Sequence, residues 1–331
     1  MSSAQAVEPP LTEMRNVVEE VINLRPSDFD REFCLRYSAV LDIIQHMRWR
    51  WWDEHDAALP GMASYPLNPD AVSSTGAVTR AVTIHAPNPQ MLRSRVRTDR
   101  VTELRSRIMP GPVGKTSAAF LFEFYLRGSA LPMLTASTVM VWIGGPQLKE
   151  RSLLGRIVNR PAPVPQIVLD ASQPAPPACV EGVLQVEELA AELDRVRGLS
   201  NAPSWSYELV NPALRLIDEN ANQHLSSATF MRLAEEAKFQ MKITDTVVSV
   251  SMDIFSEARA DNGGVGYVVR AALRSLRPKD LERGTALVPH IEWALFSQAR
   301  DDLDNAEQML TRVRMFLSEE KTAPIEPYSK L

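Results

Sequence analysis

The sequence predicts a mainly α protein of the α+β class, with helices packed as in a bundle, a minor β component and no doubly wound sheet. Three observations lead there. Apolar residues recur at helical spacing over several long stretches. Glycine is scarce, 14 in 331 residues, where glycine-rich cofactor loops and doubly wound sheets raise that count. Proline and glycine punctuate the chain between the periodic stretches.

Residues 1–10 read as a flexible arm. From Leu11, "LTEMRNVVEEVINL" places Leu11, Met14, Val18, Val21 and Ile22 on one stripe. After the Pro26-Ser27-Asp28 break, "DREFCLRYSAVLDIIQHMRWRWWDEHD" continues as a long helix with Phe33, Val40, Ile43, Ile44, Met47 and Trp51 inward. Pro60-Gly61 stops it, and a Pro/Ser-rich loop runs to about residue 77. "TRAVTIHA" alternates as a strand that "MLRSRVR" extends, and Thr98 caps a short helix carrying Val101, Leu104 and Ile108. "TSAAFLFEFYLRG" reads as a helix, and "PMLTASTVMVWIGG" as a buried strand or helix.

These elements make residues 11–160 an N-terminal helical region with a basic middle segment. Six prolines (161, 163, 165, 174, 176 and 177) mark 161–178 as a linker or surface crossing. Residues 179–318 form a C-terminal helical region, with helices over 184–198, 226–242, 265–276 and 288–318, interrupted by the strand-like "TDTVVSVSMDIF". Residues 319–331 are a tail. No internal repeat is visible.

Composition excludes several classes. Apolar residues make up 45% and charged residues 23%, an ordinary globular balance. No apolar stretch reaches membrane-spanning length, so no membrane partner is expected. The opening "MSSAQAVEPPLTEM" lacks a secretory pattern. Cys34 and Cys179 lie far apart and read as reduced core thiols. The net charge of −5 hides a segregation: residues 1–70 carry −6, residues 71–160 carry +9 and residues 161–331 carry −8. A basic middle suits a polyanion or an acidic patch on another subunit. Only seven of the 36 basic residues are lysine. The arginine excess fits either phosphate contacts or GC-rich coding.

Few motifs carry chemistry. Gly114-Lys115-Thr116 ends like a P-loop, but the first glycine of that pattern is replaced by Met109. Pro110 and Pro112 also remove two N–H donors from the loop. The preceding "RVTELRSRIM" reads as an amphipathic helix rather than the buried strand a P-loop follows. Gly263, Gly264 and Gly266 fail the dinucleotide pattern, since Val269 takes the third glycine's place. "HIEW" lacks the downstream cysteine pair of a zinc deaminase. Asp53, Glu54, His55 and Asp56 read as a solvated helix end rather than a metal site. The five histidines (46, 55, 85, 224 and 290) are scattered singly. No catalytic residue, metal or cofactor is therefore expected.

Two basic features remain. Arg93, Arg95, Arg97, Arg100, Arg105 and Arg107 form one arginine run, and Arg48 and Arg50 interleave with Trp49, Trp51 and Trp52. Both suit RNA or another polyanion, with the tryptophans as a stacking or interface surface. Ala299, Leu303, Ala306, Leu310, Val313 and Leu317 recur as the seam of a lengthwise helix contact, which makes Leu303, Leu310 and Leu317 interface candidates in a homo-oligomer. Together these features describe a non-enzymatic, self-assembling structural protein, such as a viral coat or nucleocapsid-like subunit contacting RNA through arginines, in the cytoplasm or a virion. The alternative rests on Ser329-Lys330-Leu331, which matches the peroxisomal address and implies a peroxisomal enzyme of unidentified reaction.

Overall fold

The computed structural model describes residues 17–31, 34–55, 75–87, 102–113, 117–127, 129–144, 177–197, 205–214, 218, 224–256, 258–260, 266–274, 289–298 and 307–318. Its centre is one ten-stranded antiparallel sheet, and the described residues form three α-helices. This overturns the helical-bundle expectation. In chain order the elements are β1 (Val18–Leu24), α1 (Tyr37–His55), β2 (Thr75–His85), β3 (Thr102–Val113), β4 (Ser117–Leu126), β5 (Leu134–Gly144) and α2 (Pro177–Arg197). There follow β6 (Tyr207–Val210), α3 (Ser227–Gln240), β7 (Val247–Ile254), β8 (Gly266–Arg274), β9 (His290–Gln298) and β10 (Gln308–Leu317).

The strand order is β1-β3-β4-β5-β2-β7-β10-β9-β8-β6. Read inward from each edge, the two halves have the same topology: a strand, a helix, then four strands, with the second strand at the centre. The halves meet where β2 pairs antiparallel with β7, Ala81 opposite Asp253 and His85 opposite Ser249. The chain thus contains a structural repeat that its sequence does not display.

Helices α1 and α3 pack side by side on one face of the sheet, α1 against β1 and β3 and α3 against β9 and β10. Helix α1 buries Val40, Leu41, Ile44, Met47 and Trp51 completely or nearly so. The Trp51 ring meets Phe120 edge-on, centroids 5.2 Å apart. Phe120, Phe122 and Phe124 alternate along β4, all on this face and all buried. Such a period of two is a strand signal. The continuous apolar character of "AAFLFEFYL" hides it, because Leu121 is buried on the other face as well.

The opposite face is largely polar. A single row crosses nine strands: Glu19, Arg107, Glu123, Thr135, His85, Ser249, Phe316, His290 and Arg274. Helix α2 covers the middle of this face, packing Val186 and Leu193 against Phe316. Arg312 and Arg314 of β10 tie its Asp194 and the Asp253 of β7 to the sheet. Strands buried on both faces lose the clean alternation of a half-solvated sheet.

Other expectations resolve element by element. The strand at "TRAVTIHA" and that at "TDTVVSVSMDIF" are β2 and β7. The helices expected over 184–198 and 226–242 are α2 and α3, and α1 occupies the second half of its expected span. The stripe around Val18 to Ile22 is strand β1, not helix. Leu104 and Ile108 lie in β3, residues 117–126 in β4, and the helix expected over 265–276 is β8. The helix expected over 288–318 is two strands, β9 and β10.

The reason in β10 is a β-bulge between Met309 and Thr311. The extra residue lets Leu310 join Val313 and Leu317 in the core, so spacings of three and four arise without a helix. A similar irregularity lies between Pro110 and Val113 in β3, beside Gly111. A Cβ built at Gly111 would stand 3.1 Å from Ala119 Cβ. That glycine therefore serves a close strand contact. The Gly-Lys segment lies between the paired strands β3 and β4, so no helix follows it as a P-loop requires.

Candidate functional site

The two long helices begin differently. At the start of α1 the main-chain N–H groups of Tyr37 and Ser38 donate to Glu235 Oε1 at 2.8 and 3.3 Å. Ser38 Oγ donates to Glu235 Oε2 at 2.6 Å. A carboxylate from α3 thus occupies the positive end of the α1 dipole. Enclosure pushes the Glu235 carboxyl above its ordinary range, while the Ser38 and Tyr37 donors act in the opposite direction. The Tyr37 phenol, also raised by burial, donates to Val247 O at 2.9 Å.

Helix α3 is capped by its own Ser226, whose Oγ accepts from Thr229 N–H at 3.1 Å. Asp218, upstream of the cap, is tied onto the helix. Asp218 O accepts from Ser226 N–H at 3.1 Å and from Thr229 Oγ1 at 2.7 Å. The Asp218 carboxylate receives Arg232 at 2.9 Å. Arg232 also faces Asp42 of α1, whose carboxyl burial raises and Arg232 lowers.

His224, half-buried, stands two residues before the Ser226 cap. Its neighbour Leu225 is buried and donates its N–H to Ala258 O at 2.7 Å. The next residue, Arg259, reaches back so that Nη2 lies 3.4 Å from His224 Nε2. This corner combines an imidazole, a carboxylate–guanidinium pair and a helix amino terminus. The set can activate water and stabilise an oxyanion. Among the described residues no group of three or more metal-ligating side chains occurs.

The expected polyanion and interface residues fall elsewhere. Arg48 is buried, its guanidinium lowered to about 10 by desolvation, and donates to Thr79 Oγ1 at 2.7 Å. Arg50 pairs with Glu20 at 3.5 Å. Arg105 lies over the Tyr125 ring, 4.7 Å from its centroid. Arg107 bridges Glu19 at 2.6 Å and Glu123 at 3.2 Å. Trp51, Leu310 and Leu317 are buried within the chain, and Trp49 is partly exposed on α1. Arg93, Arg95, Arg97, Arg100, Leu303, Ser329, Lys330, Leu331 and the Trp52 side chain lie outside the described residues.

Sequence reading passed over His224 as one of five scattered histidines. A usable signal was present: "DENANQHLSSATF" sets Asp218, His224 and the Ser226 cap in one polar run directly before an amphipathic helix.

No protein-family model matches the chain, and no curated protein matches it in sequence. Solved structures match it in fold. The 12:0-ACP thioesterase from Umbellularia californica superposes with a TM-score of 0.56 at 10% identity, covering 91% of this chain and 97% of that one. An acyl-ACP thioesterase from Bacteroides thetaiotaomicron VPI-5482 superposes with a TM-score of 0.54 at 11% identity, covering 92% and 98%. The shared architecture is the hot-dog arrangement, a helix packed on an antiparallel sheet, present twice in one chain. The expectation of a non-enzymatic coat or nucleocapsid-like subunit, drawn from the arginine and tryptophan clusters, the basic middle and the apolar seam, is contradicted by this likeness, since the structures that share the fold are thioesterases.

Proposed function

We propose that the protein hydrolyses acyl thioesters at the amino end of α3. Support comes first from the His224 corner and second from the fold, which both thioesterases named above share over nearly their whole length. The observation that carries the reading is the asymmetry of the helix starts. Glu235 occupies that of α1, whereas α3 presents His224 beside a terminus whose side-chain cap, among the described residues, is the neutral Ser226.

In this reading His224 takes a proton from water as the water oxygen bonds to the acyl carbon. The α3 amino terminus stabilises the resulting oxyanion. The carbon–sulfur bond then breaks, and the proton passes to the departing thiolate, leaving a carboxylic acid and a thiol. Asp218 braces the start of α3 through its links to Ser226, Thr229 and Arg232.

The test is thiol release from acyl-CoA and acyl-N-acetylcysteamine thioesters of graded chain length, followed with a thiol-reactive dye. His224→Ala lowers kcat/KM about 100-fold or more, the ordinary contribution of a positioned general base. Absence of turnover by the wild-type protein across the series, or an unaffected His224→Ala variant, overturns the proposal.

A further inference from the structure

We infer that Arg48 determines specificity by receiving a carboxylate on the far end of the acyl group, so that the substrates are monothioesters of dicarboxylic acids. The identity of the ligand rests on the thioesterase reading; the need for an anion at Arg48 does not.

The first observation is a charge without a counter-charge. Arg48 of α1 is 9% exposed. Its Nη1 donates to the neutral Thr79 Oγ1 at 2.7 Å, and among the described residues it makes no ion pair. Desolvation lowers the guanidinium to about 10, so it remains charged at neutral pH. Carboxylates on the neighbouring elements are engaged elsewhere: Glu20 with His46 and Arg50, Asp42 with Arg232, and Glu235 with the start of α1. A buried cation in this state costs stability, and a methionine would fill much of the same space. Most of the five guanidinium donors are left for a ligand.

The second observation is the surface that Arg48 faces. Thr79 pairs with Met140 of β5, whose side chain lies in the core under the helices. Thr138 lies two residues along β5 on the same face. Thr311 of β10 sits opposite Ile254, one step beyond the Ala81–Asp253 pair. Both threonines are buried, and their hydroxyls have no hydrogen-bond partner among the described residues. Such hydroxyls are rare in an apolar core. A carboxylate accepts from hydroxyls and guanidinium alike.

Helix geometry brings this polar patch to the reacting end of the site. Helices α1 and α3 run antiparallel, since Glu235 meets Tyr37 and Arg232 faces Asp42. From Asp42 to Arg48 is six residues, as it is from Arg232 back to Ser226, about 9 Å along each helix. Arg48 therefore stands level with the α3 amino terminus, on the sheet side of α1. An acyl group entering between α1 and the sheet presents its far end to Arg48. The diphosphate of coenzyme A is the competing anion, and enclosure disfavours it, because a multiply charged group would have to pass behind α1.

The experiment compares glutaryl-, adipyl- and suberyl-CoA with methyl-ended acyl-CoA of equal length, using the full chain and thiol release. Wild-type kcat/KM favours the carboxyl-ended member at one length or more. In Arg48→Met that preference falls about 10–100-fold, the usual contribution of a charge-assisted hydrogen bond, and Arg48→Lys retains part of it. Without ligand, the urea midpoint of Arg48→Met equals or exceeds that of the wild type, because an unpaired buried charge has been removed. Free glutarate, adipate and suberate are titrated by calorimetry at fixed ionic strength. The tightest of them binds about 10–100-fold more weakly to Arg48→Met. A wild-type preference for the methyl-ended chain at every length overturns the inference. So does a lower urea midpoint in both Arg48→Met and Arg48→Leu, which shows the charge already neutralised within the chain. Chloride or phosphate binding as tightly as the dicarboxylates, with the same loss in Arg48→Met, assigns Arg48 to an inorganic anion and also overturns it. Dicarboxylate binding through Arg48 without hydrolysis of any thioester overturns the thioesterase proposal and leaves the anion site standing.

Discussion

Replacing Glu235 tests the link between the two halves of the molecule. Glu235→Ala strips the acceptor from two main-chain N–H groups at the start of α1 and from the Ser38 hydroxyl, contacts of 2.8, 3.3 and 2.6 Å. A helix cap contributes about 0.5–2 kcal/mol, and a charge-assisted hydrogen bond about 1.5–3 kcal/mol. The position is partly accessible, so water recovers some of the loss. Together these suggest a cost of about 3 kcal/mol. With a urea slope of about 3 kcal/mol per molar, the unfolding midpoint falls by about 1 M. Glu235→Gln keeps an acceptor oxygen and costs less.

The pH dependence adds a signed check. Burial holds the folded-state value of Glu235 above its unfolded value. The folded state therefore retains the proton longer, and this group's contribution is fullest below the unfolded value of about 4.3. It declines as pH rises through the folded value. Urea midpoints of the wild type minus those of Glu235→Gln, measured from pH 4 upward, should fall and then level off. A difference that rises with pH refutes the assignment. So does a Glu235→Ala cost within about 0.5 kcal/mol, the range of an ordinary surface substitution.

Trp51→Ala should cost about 3–5 kcal/mol in chemical denaturation, since the ring is fully buried against Phe120; Trp49→Ala, on the partly exposed side, should cost far less. Arg314→Ala should destabilise by about 2–3 kcal/mol by leaving Asp194 and Asp253 short of a partner beneath α2, and Arg314→Ala/Asp194→Ala together should cost less than the two separately. Leu310→Asp places a carboxylate in the core of β10 and should unfold the protein in thermal melts rather than yield a smaller folded species. Lys115→Ala should leave stability within about 0.5 kcal/mol of wild type and reveal no nucleotide turnover, because the segment joins two paired strands.

The sequence by itself determined α2, α3, β2, β7 and the inner face of α1. In α3 the pattern is unambiguous: a Ser226 cap, then Phe230, Met231, Ala234 and Ala237 recurring on one buried face. It also excluded a nucleotide loop through Met109, Pro110 and Pro112, although the supporting claim that a helix precedes the loop was mistaken, since Leu104 to Ile108 form part of β3. Local periodicity reports a strand only when one face is wet. In β4, β8, β9 and β10 both faces carry buried residues: α1 and α3 lie on one side, while on the other Leu121 packs on Met109, Val268 and Phe296 pack with Trp205, and Phe316 packs on α2. The bulge at Met309 and Thr311 then imitated a helical seam.

The repeat of the two halves is a repeat of strand order, carried by hydrogen bonds between main chains, and such bonds place little demand on residue identity. The site depended on tertiary structure for the same reason. Asp218 and His224 are close in the chain, but Arg259 reaches His224 across 35 positions and Glu235 reaches Ser38 across 197. Those distances close only when β7 and β8 have paired into the sheet and α3 has packed against α1, because the long-range contacts that define the site are made by folding rather than by any local pattern.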